Sequence, residues 1–345
     1  MTPLQRALRQ LVDHHDLSAD EATAAFEAIM DGLASDVETA AILAALRVKG
    51  ESASELYGLA SAMRARLTPI PTARTGLLDT CGTGGDELHT FNISTATALV
   101  VAACDVPVAK HGNRSVSSSS GSADVLEHLG VNVTLSAADV GHCIDTLGIG
   151  FCFAPLLHSA MKHVAPVRKQ LGIRTVFNLA GPLTNPARAE FQLVGTWRPE
   201  TARLMAEVLA RLGTRRAVVV CGGGQLDEVA LWGETTAWIV SDGAIRREVW
   251  TPDHFGLPVC RVEELRVSSP AESAAMIRRV LSGERCAARD IVLANAATAL
   301  WIVGRTPAPA DAVEVAAAAI DGGHAASLLT RLAHATQSAA TGRPV

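Results

Sequence analysis

Residues 79–130, DTCGTGGDELHTFNISTATALVVAACDVPVAKHGNRSVSSSSGSADVLEHLG, constrain this chain more than any other stretch. The apolar approach Leu77-Leu78 runs into Gly82-Thr83-Gly84-Gly85-Asp86. Thr90, Asn92, Ser94 and Thr95 follow, and then an apolar run from Ala96 to Cys104. A second strand-like piece, Val106 to Ala109, opens into Lys110-His111-Gly112-Asn113-Arg114 and a serine run. Adjacent glycines let the backbone turn its N–H groups inward around an anion. Hydroxyls at a helix start add donors, and the helix N-terminus adds partial positive charge. Lys110 and Arg114 supply full charges. The stretch therefore reads as two neighbouring phosphate cradles, each on a strand-to-helix turn. The competing reading is a glycine turn followed by a disordered serine linker. A linker is not bracketed by short apolar strands with Lys-His-Gly-Asn-Arg at its head. No Gly-Lys-Ser/Thr follows, so this is not a Walker A loop. Glu87 stands where a dinucleotide fingerprint has its third glycine.

A chain of 345 residues suggests about two domains, and 48 % hydrophobic residues supply a sizeable core. The net charge is −5, with no basic arm, which disfavours a nucleic-acid or membrane-surface partner. Seven cysteines (81, 104, 143, 152, 221, 260, 286) lie far apart with no Cys-x-x-Cys. That is the usage of a reduced, cytoplasmic chain, without a disulfide framework or zinc site. The start MTPLQRALRQ lacks a signal core, and no apolar run approaches ~20 residues.

Residues 1–67 read as four short helices opened by capping boxes: Thr2 with Gln5, Ser18 with Glu21, Ser35 with Glu38, Ser52 with Glu55. Their expected work is scaffolding. An alanine-rich face free of charge could equally make dimer contacts. Thr68-Pro69-Ile70-Pro71 reads as a hinge. From residue 77 the pattern alternates strand and helix. The expected strands are 77–80, 106–109, 131–135, 150–153, 193–197, 217–221 and 236–240. The fold class is α/β: a small N-terminal all-helical domain plus a larger domain with a mostly parallel central sheet flanked by helices. Residues 1–70 form the first, with 155–187 packing against it; 71–154 and 188–345 form the second. Ligands in such folds sit at the carboxyl ends of strands, where both cradles lie.

Residues 154–187 break this rhythm. Met161–Leu171 reads as a helix with a proline inside it. Lys162 and Lys169 fit a solvated face as well as a functional one, whereas Arg168 ranks as the functional residue. The bends of Gly181-Pro-Leu-Thr-Asn-Pro186 suggest a rigid wall around a small acidic ligand. His158 and His163, five apart, do not share a helix face, which argues against zinc. Further on, Cys221-Gly-Gly-Gly-Gln-Leu-Asp227-Glu228 follows an apolar run. Alone, the acidic pair fits an exposed turn or a metal site. Beside phosphate cradles it points to magnesium, whose hard-oxygen preference lets carboxylates and phosphates share one ion. Residues 241–345 carry no motif with readable chemistry. The stretches 295–301, 312–319 and 325–332 look like packing helices.

GTGGD, TFNIST, KHGNR and SGSADVLE, in this order and spacing, resemble the anthranilate phosphoribosyltransferase family, and GESASELYGLASAMR and DHFGL extend the likeness over nearly the whole chain. The resemblance implies transfer of a phosphoribosyl group from 5-phosphoribosyl 1-pyrophosphate to anthranilate in tryptophan biosynthesis, with Mg2+, in a homodimer assembled through the helical domain. It implies that Gly82, Gly85, Asp86, Thr90, Asn92, Ile93, Ser94 and Thr95 contact the donor's pyrophosphate and ribose. Lys110, His111, Gly112, Asn113, Arg114, Ser115, Val116, Ser117, Ser118 and Ser122 would wrap the remaining phosphate and sugar. Gly82, Asn113 and Arg168 would meet anthranilate, and Ser94, Asp227 and Glu228 would hold the metal. No Ser-His-Asp array is present. His111 and His158 are the candidates to orient the amine or accept its proton.

Two positions depart from the family pattern: Glu87 replaces a usual glycine, and Ser119 a frequent lysine. Both weaken the expected grip on the donor without changing the reaction. The alternatives are a nucleoside phosphorylase of the same fold, which has no need of the Asn113 and Arg168 pocket, and a non-catalytic nucleic-acid-binding relative. The second would show lost metal residues and a basic surface, and this chain shows neither.

Overall fold

The computed structural model describes residues 1–114 and 120–340. Four helices open the chain: α1 (Pro3–Val12), α2 (Ala19–Met30), α3 (Asp36–Lys49) and α4 (Ala53–Arg64). Each carries the expected reciprocal cap, the side chain of Thr2, Ser18, Ser35 or Ser52 accepting from the backbone N–H three residues on. A cap of this kind contributes about 1 kcal/mol and fixes where each helix begins. The 68–71 linker does not hang free: the Thr68 N–H donates to Leu157 O and that of Ile70 to Pro186 O.

The rest alternates through β1 (Leu78–Gly82), α5 (Ile93–Ala102), β2 (Val108–Gly112), α6 (Ser122–His128), α7 (Ala137–Leu147), β3 (Ile149–Phe153), α8 (Ala154–Leu157), α9 (Ala165–Leu171), α10 (Phe177–Ala180), β4 (Phe191–Gly195), α11 (Pro199–Arg211), β5 (Arg216–Gly222), β6 (Thr235–Ser241) and β7 (Ala244–Trp250). It closes on α12 (Pro270–Leu281), α13 (Ala287–Ile302), α14 (Ala312–Asp321) and α15 (His324–Ala340). The strands form one sheet in the order β3-β2-β1-β4-β5-β6-β7. The first five run parallel, and β6 and β7 turn antiparallel.

Alternate residues of the sheet feed two large cores, and Ala109 and Cys152 feed a smaller third one with Val140 and Ile144 of α7. Leu78, Leu193, Val218 and Val220 pack with α5 and α13 on one face. Val194, Ala217 and Val219 pack on the other with α11, with Leu56 and Leu59 of α4, and with Val164, Val176 and Phe177. The N-terminal helices thus share one continuous apolar cluster with the sheet, bridged by α11 and the 164–183 segment.

Three expectations need correction. Residues 131–135 are not a strand. Val131 and Val133 are buried in alternation as a strand would have them, but the Asn132 N–H donates to Thr336 Oγ1, and no ladder forms. The helix expected over 161–171 is a 3₁₀ turn, Ser159–His163, followed by α9. Pro166 then lies in the first turn of α9, where its missing N–H costs nothing. Strand β7 adds to the expected set: Ala244 to Arg247 and Val249 are exposed and only Trp250 is buried, so it has no apolar alternation to read. The turn before it, Asp242-Gly243, has φ of 48° and 83°, the left-handed pair that two-residue hairpins favour.

Candidate active site

The site begins where β1 and β2 part. β1 pairs with β4 from Leu78↔Phe191 to Gly82↔Gly195, but with β2 only at Leu78↔Val108. Past that point side chains replace the ladder. Asp79 Oδ1 accepts the His111 N–H at 2.9 Å. Asn185 Nδ2 donates to Asp79 Oδ2 and to Ala109 O, both at 2.8 Å. Lys110 Nζ donates to Thr80 O at 2.6 Å and to Ser94 Oγ at 3.3 Å. These groups wedge the strand ends apart, so the loops after β1 and β2 stand on either side of a cleft of about 350 Å³.

The first loop and the N-terminus of α5 line this cleft from Cys81 to Asp86 and from Thr90 to Ser94, and the second loop lines it from Lys110 to Arg114. Ser120, Gly121 and Ser122, at the start of α6, complete that side. The Oγ1 of Thr83 and the Oδ1 of Asn92 are buried without a partner among the described residues. Such atoms inside a polar cleft mark positions where a ligand's hydroxyl or phosphate completes the bonding.

The opposite wall carries the acidic pair. The chain leaves β5, turns through Gly222–Leu226 and passes over the ends of β1 and β4. A Cβ at Gly82 or Gly195 would strike Asp227, so both positions require glycine for that crossing. Asn295, fully buried on α13, clamps the next residue: its Oδ1 accepts the Val229 N–H at 2.9 Å and its Nδ2 donates to Val229 O at 3.1 Å. Burial and neighbouring Asp86 push the Asp227 carboxyl up to about 7. Burial and Asp227 raise Glu228 as well, while Lys110 and the Ser94 N–H oppose that shift. Burial drives Lys110 down and Asp79 up, each partly offset by the other. The cleft floor is a set of charges that need a counter-charge or a ligand to be comfortable.

The third wall is the 165–182 segment. Arg168, half-buried, stacks over Phe177 at 5.6 Å, and Arg174, Asn178, Gly181 and Pro182 also line the cleft. Lys162, His163 and Lys169 face solvent, which settles the first and last as solvated positions.

His111 and His158 meet, Nε2 to Nε2, at 3.1 Å, and His111 Nδ1 lies 3.0 Å from Gly181 O. A carbonyl can only accept, so His111 carries its proton on Nδ1 and receives the His158 Nε2–H. Burial pushes His111 down to about 4 and His158 down to about 3. Both His111 nitrogens are occupied, and His158 is not among the residues lining the cleft. His111 itself lines the cleft, with its ring nitrogens engaged by Gly181 O and His158.

Other expected residues fall unevenly. Gly82, Gly85, Asp86, Thr90, Asn92, Ile93, Ser94, Lys110, Gly112, Asn113 and Ser122 converge on the cleft. Thr95 is buried behind it and does not line it. Arg114 reaches the cleft with its guanidinium already held by Asp124 at 2.7 Å and Glu127 at 2.6 Å. Ser115, Val116, Ser117, Ser118 and Ser119 lie outside the described residues. Sequence reasoning missed Asp79, Arg174, Asn185 and Asn295. Asn295 alone left a signal, one polar residue inside the apolar run 291–297, which marks burial but not the partner.

Comparison with known proteins fits this geometry. Residues 5–67 match the glycosyl transferase family, helical bundle domain, and residues 74–326 the glycosyl transferase family, a/b domain. An anthranilate phosphoribosyltransferase of Chromobacterium violaceum is 49 % identical, over 96 % of this chain and 97 % of its own length. The chain belongs to the anthranilate phosphoribosyltransferase family. Among solved members, the Thermus thermophilus enzyme superposes with a TM-score of 0.90 at 42 % identity, covering 96 % of this chain and 99 % of that one. The Saccharomyces cerevisiae enzyme in complex with PRPP and Mg gives 0.89 at 27 % identity, covering 97 % and 98 %. The same yeast enzyme in complex with 4-fluoroanthranilate gives 0.86 at 26 %, with the same coverage. In this anthranilate phosphoribosyltransferase family member, the matched α/β region holds both cradles and the acidic pair.

Proposed function

We propose that this chain is an enzyme that transfers the phosphoribosyl group of 5-phosphoribosyl 1-pyrophosphate to the amine of anthranilate, giving N-(5-phosphoribosyl)anthranilate and pyrophosphate in tryptophan biosynthesis. The observation that carries this reading is the convergence, in a member of this family, of two glycine-containing loops, an acidic pair and Arg168 on one cleft. The N–H groups of the Gly82–Gly85 loop and of the α5 N-terminus hold the diphosphate, with Lys110 beneath them. The Gly112–Arg114 turn and Ser122 hold the remaining phosphate and the sugar. Arg168 offers a fork to the anthranilate carboxylate while Phe177 keeps it in place. Asn113 and Gly82, which also line the cleft, would meet anthranilate beside Arg168. An aromatic amine is already a nucleophile, so orientation and electrostatics carry the rate and no general base is needed for attack.

The donor set suits Mg2+. Asp227, Glu228 and Ser94 all line the cleft, and the described residues bring together no group of three or more His, Cys, Asp and Glu side chains as an all-protein cage. One or two carboxylates with substrate phosphates is the usual magnesium arrangement. Bound magnesium supplies charge neutralisation for the pyrophosphate leaving group.

Val37 and Val48 on α3, with Leu33 before it, are more than three-quarters exposed. Such an apolar face on the helical domain supports a homodimer through it, testable by sedimentation. The described cysteines are all free, in keeping with a reducing, cytoplasmic setting. None of the described helices is long and apolar enough to cross a membrane.

A steady-state assay decides the reaction. Pyrophosphate release should require anthranilate, donor and magnesium together. Release of base from nucleoside and phosphate, with none from anthranilate, would overturn the reading in favour of a phosphorylase.

A further inference from the structure

Arg174 sits between α9 and α10, on the segment that carries Arg168, yet its hydrogen bonds go across the cleft. Its Nη2 donates to Gly84 O at 2.8 Å and reaches Thr83 O at 3.5 Å. Its guanidinium lies over Trp197, 5.1 Å from the ring centroid, and Arg198 covers the same ring at 3.9 Å. A Cβ on Gly85, whose φ is +83°, would fall on the Arg174 guanidinium. Asp227 and Glu87 attract this charge, and Arg47 and Arg198 oppose it. Half-buried, stacked and bonded to two backbone carbonyls, the side chain is held in one place.

We propose that Arg174 is a positioning residue that clasps the Thr83–Gly85 backbone from the helical side and thereby holds the first loop in its donor-binding shape. The carbonyl oxygens of Thr83 and Gly84 are drawn toward the guanidinium, while the Thr83 N–H donates to Gly195 O and the Gly84 N–H to Asp227 Oδ2, so the loop is held from both sides of its backbone. The proposal rests on the donor reading given above for the affinity it predicts, but the clasp itself can be read without any substrate.

The test uses the full chain as Arg174→Ala, Arg174→Lys, Gly85→Ala and the Gly85→Ala/Arg174→Ala pair. In ligand-free protein, amide hydrogen exchange over residues 82–89 should quicken about tenfold in Arg174→Ala, with exchange in α2 and α13 unchanged. The donor KM should rise about tenfold, while the anthranilate KM at saturating donor moves less than about twofold. Arg174→Lys should recover part of both effects, since it keeps one donor and loses the fork and the stack. The penalty of Gly85→Ala on the donor KM should shrink in the Arg174→Ala background, because the collision is gone. Unchanged loop exchange in Arg174→Ala would overturn the clasp. An equal rise in both KM values would overturn its specificity for the donor. If wild-type protein turned over neither substrate, the reaction reading would fall, and the exchange measurement would still decide the clasp.

Discussion

The Gly84 N–H donates to Asp227 Oδ2 at 2.9 Å. A carboxylate from the far wall therefore occupies one of the backbone donors that the glycine loop would otherwise turn toward a phosphate. Asp227 is at once an occupant of the anion nest and one of the three proposed magnesium ligands. Donor and metal should then bind together more tightly than the sum of their separate affinities, since an ion that engages Asp227 frees the Gly84 amide. In Asp227→Asn the side-chain oxygen still accepts from Gly84 but the charge is gone. Calorimetry should show donor binding without magnesium unchanged or modestly tighter. The tightening that magnesium gives the wild type should fall by about tenfold or more. Equal magnesium enhancement in both proteins would remove Asp227 from the metal site.

The paired histidines predict an acid-sensitive core. An unfolded histidine takes its proton near 6.5, whereas burial holds His111 to about 4 and His158 to about 3 in the folded chain. Between those values the unfolded chain binds more protons, so folding stability present above pH 6.5 is lost as pH falls toward 4. His158→Gln removes one such group and keeps an N–H to donate to His111 Nε2. The drop in stability from pH 7 to pH 5 should be smaller than in wild type by about 2 kcal/mol, read from urea unfolding at both pH values. An identical drop in the two proteins would mean that His158 stays protonatable in the native state.

The elements that carry chemistry by local pattern can be read from the sequence, and those that carry it by tertiary register cannot. The capping boxes, the two strand-to-helix loops and the acidic pair each announce themselves within a few residues; the structure forms the caps, and the described residues of both loops line one cleft with the acidic pair. Asn295 acts on Val229, 66 residues away in the chain, and nothing local marks a helix position as a clamp on a distant backbone. Asp79 and Asn185 meet only because β1 and β2 fail to continue their ladder, and strand splay has no sequence period. The 131–135 segment fails in the opposite sense. Its alternation of burial is real, but the partner it packs against is a helix rather than a strand. The motif aims Arg114 at a phosphate, but Asp124 and Glu127, one and two turns into the next helix, already hold its charge.

Asn185 offers a test of the wedge beneath the cleft. Its amide satisfies Asp79 Oδ2 and Ala109 O together, in a site with almost no solvent access. Asn185→Ala leaves a buried carboxylate short of a donor and a carbonyl without one. The expected cost is about 3 kcal/mol in thermal or denaturant unfolding, the range for truncating a buried bond to a charged group. Asp79→Asn in the same background should recover part of that loss, since a neutral amide is less costly to leave underpaired than a carboxylate. Independent, additive effects of the two substitutions would show that the contact does not hold the strand ends.

Glu87 is the residue at which the resemblance leads one to expect a glycine. It is exposed at the rim of the first loop with φ of +57°, in the left-handed region. A non-glycine residue there costs about 1 kcal/mol, and replacement by glycine returns a similar amount as unfolded-chain entropy, about 0.4–1 kcal/mol. Glu87→Gly should therefore leave the melting temperature nearly unchanged. Its effect on the donor should be larger, for two reasons. The carboxylate repels the diphosphate, and it draws on the charge of Arg174, which it faces across the loop. Removing it should lower the donor KM about threefold at low salt, with the gain fading as ionic strength rises, because the charge is exposed and screened. The anthranilate KM should stay where it is. A donor KM unaltered at low salt would show that the loop's grip is set by its backbone alone, and that this side chain costs the protein nothing.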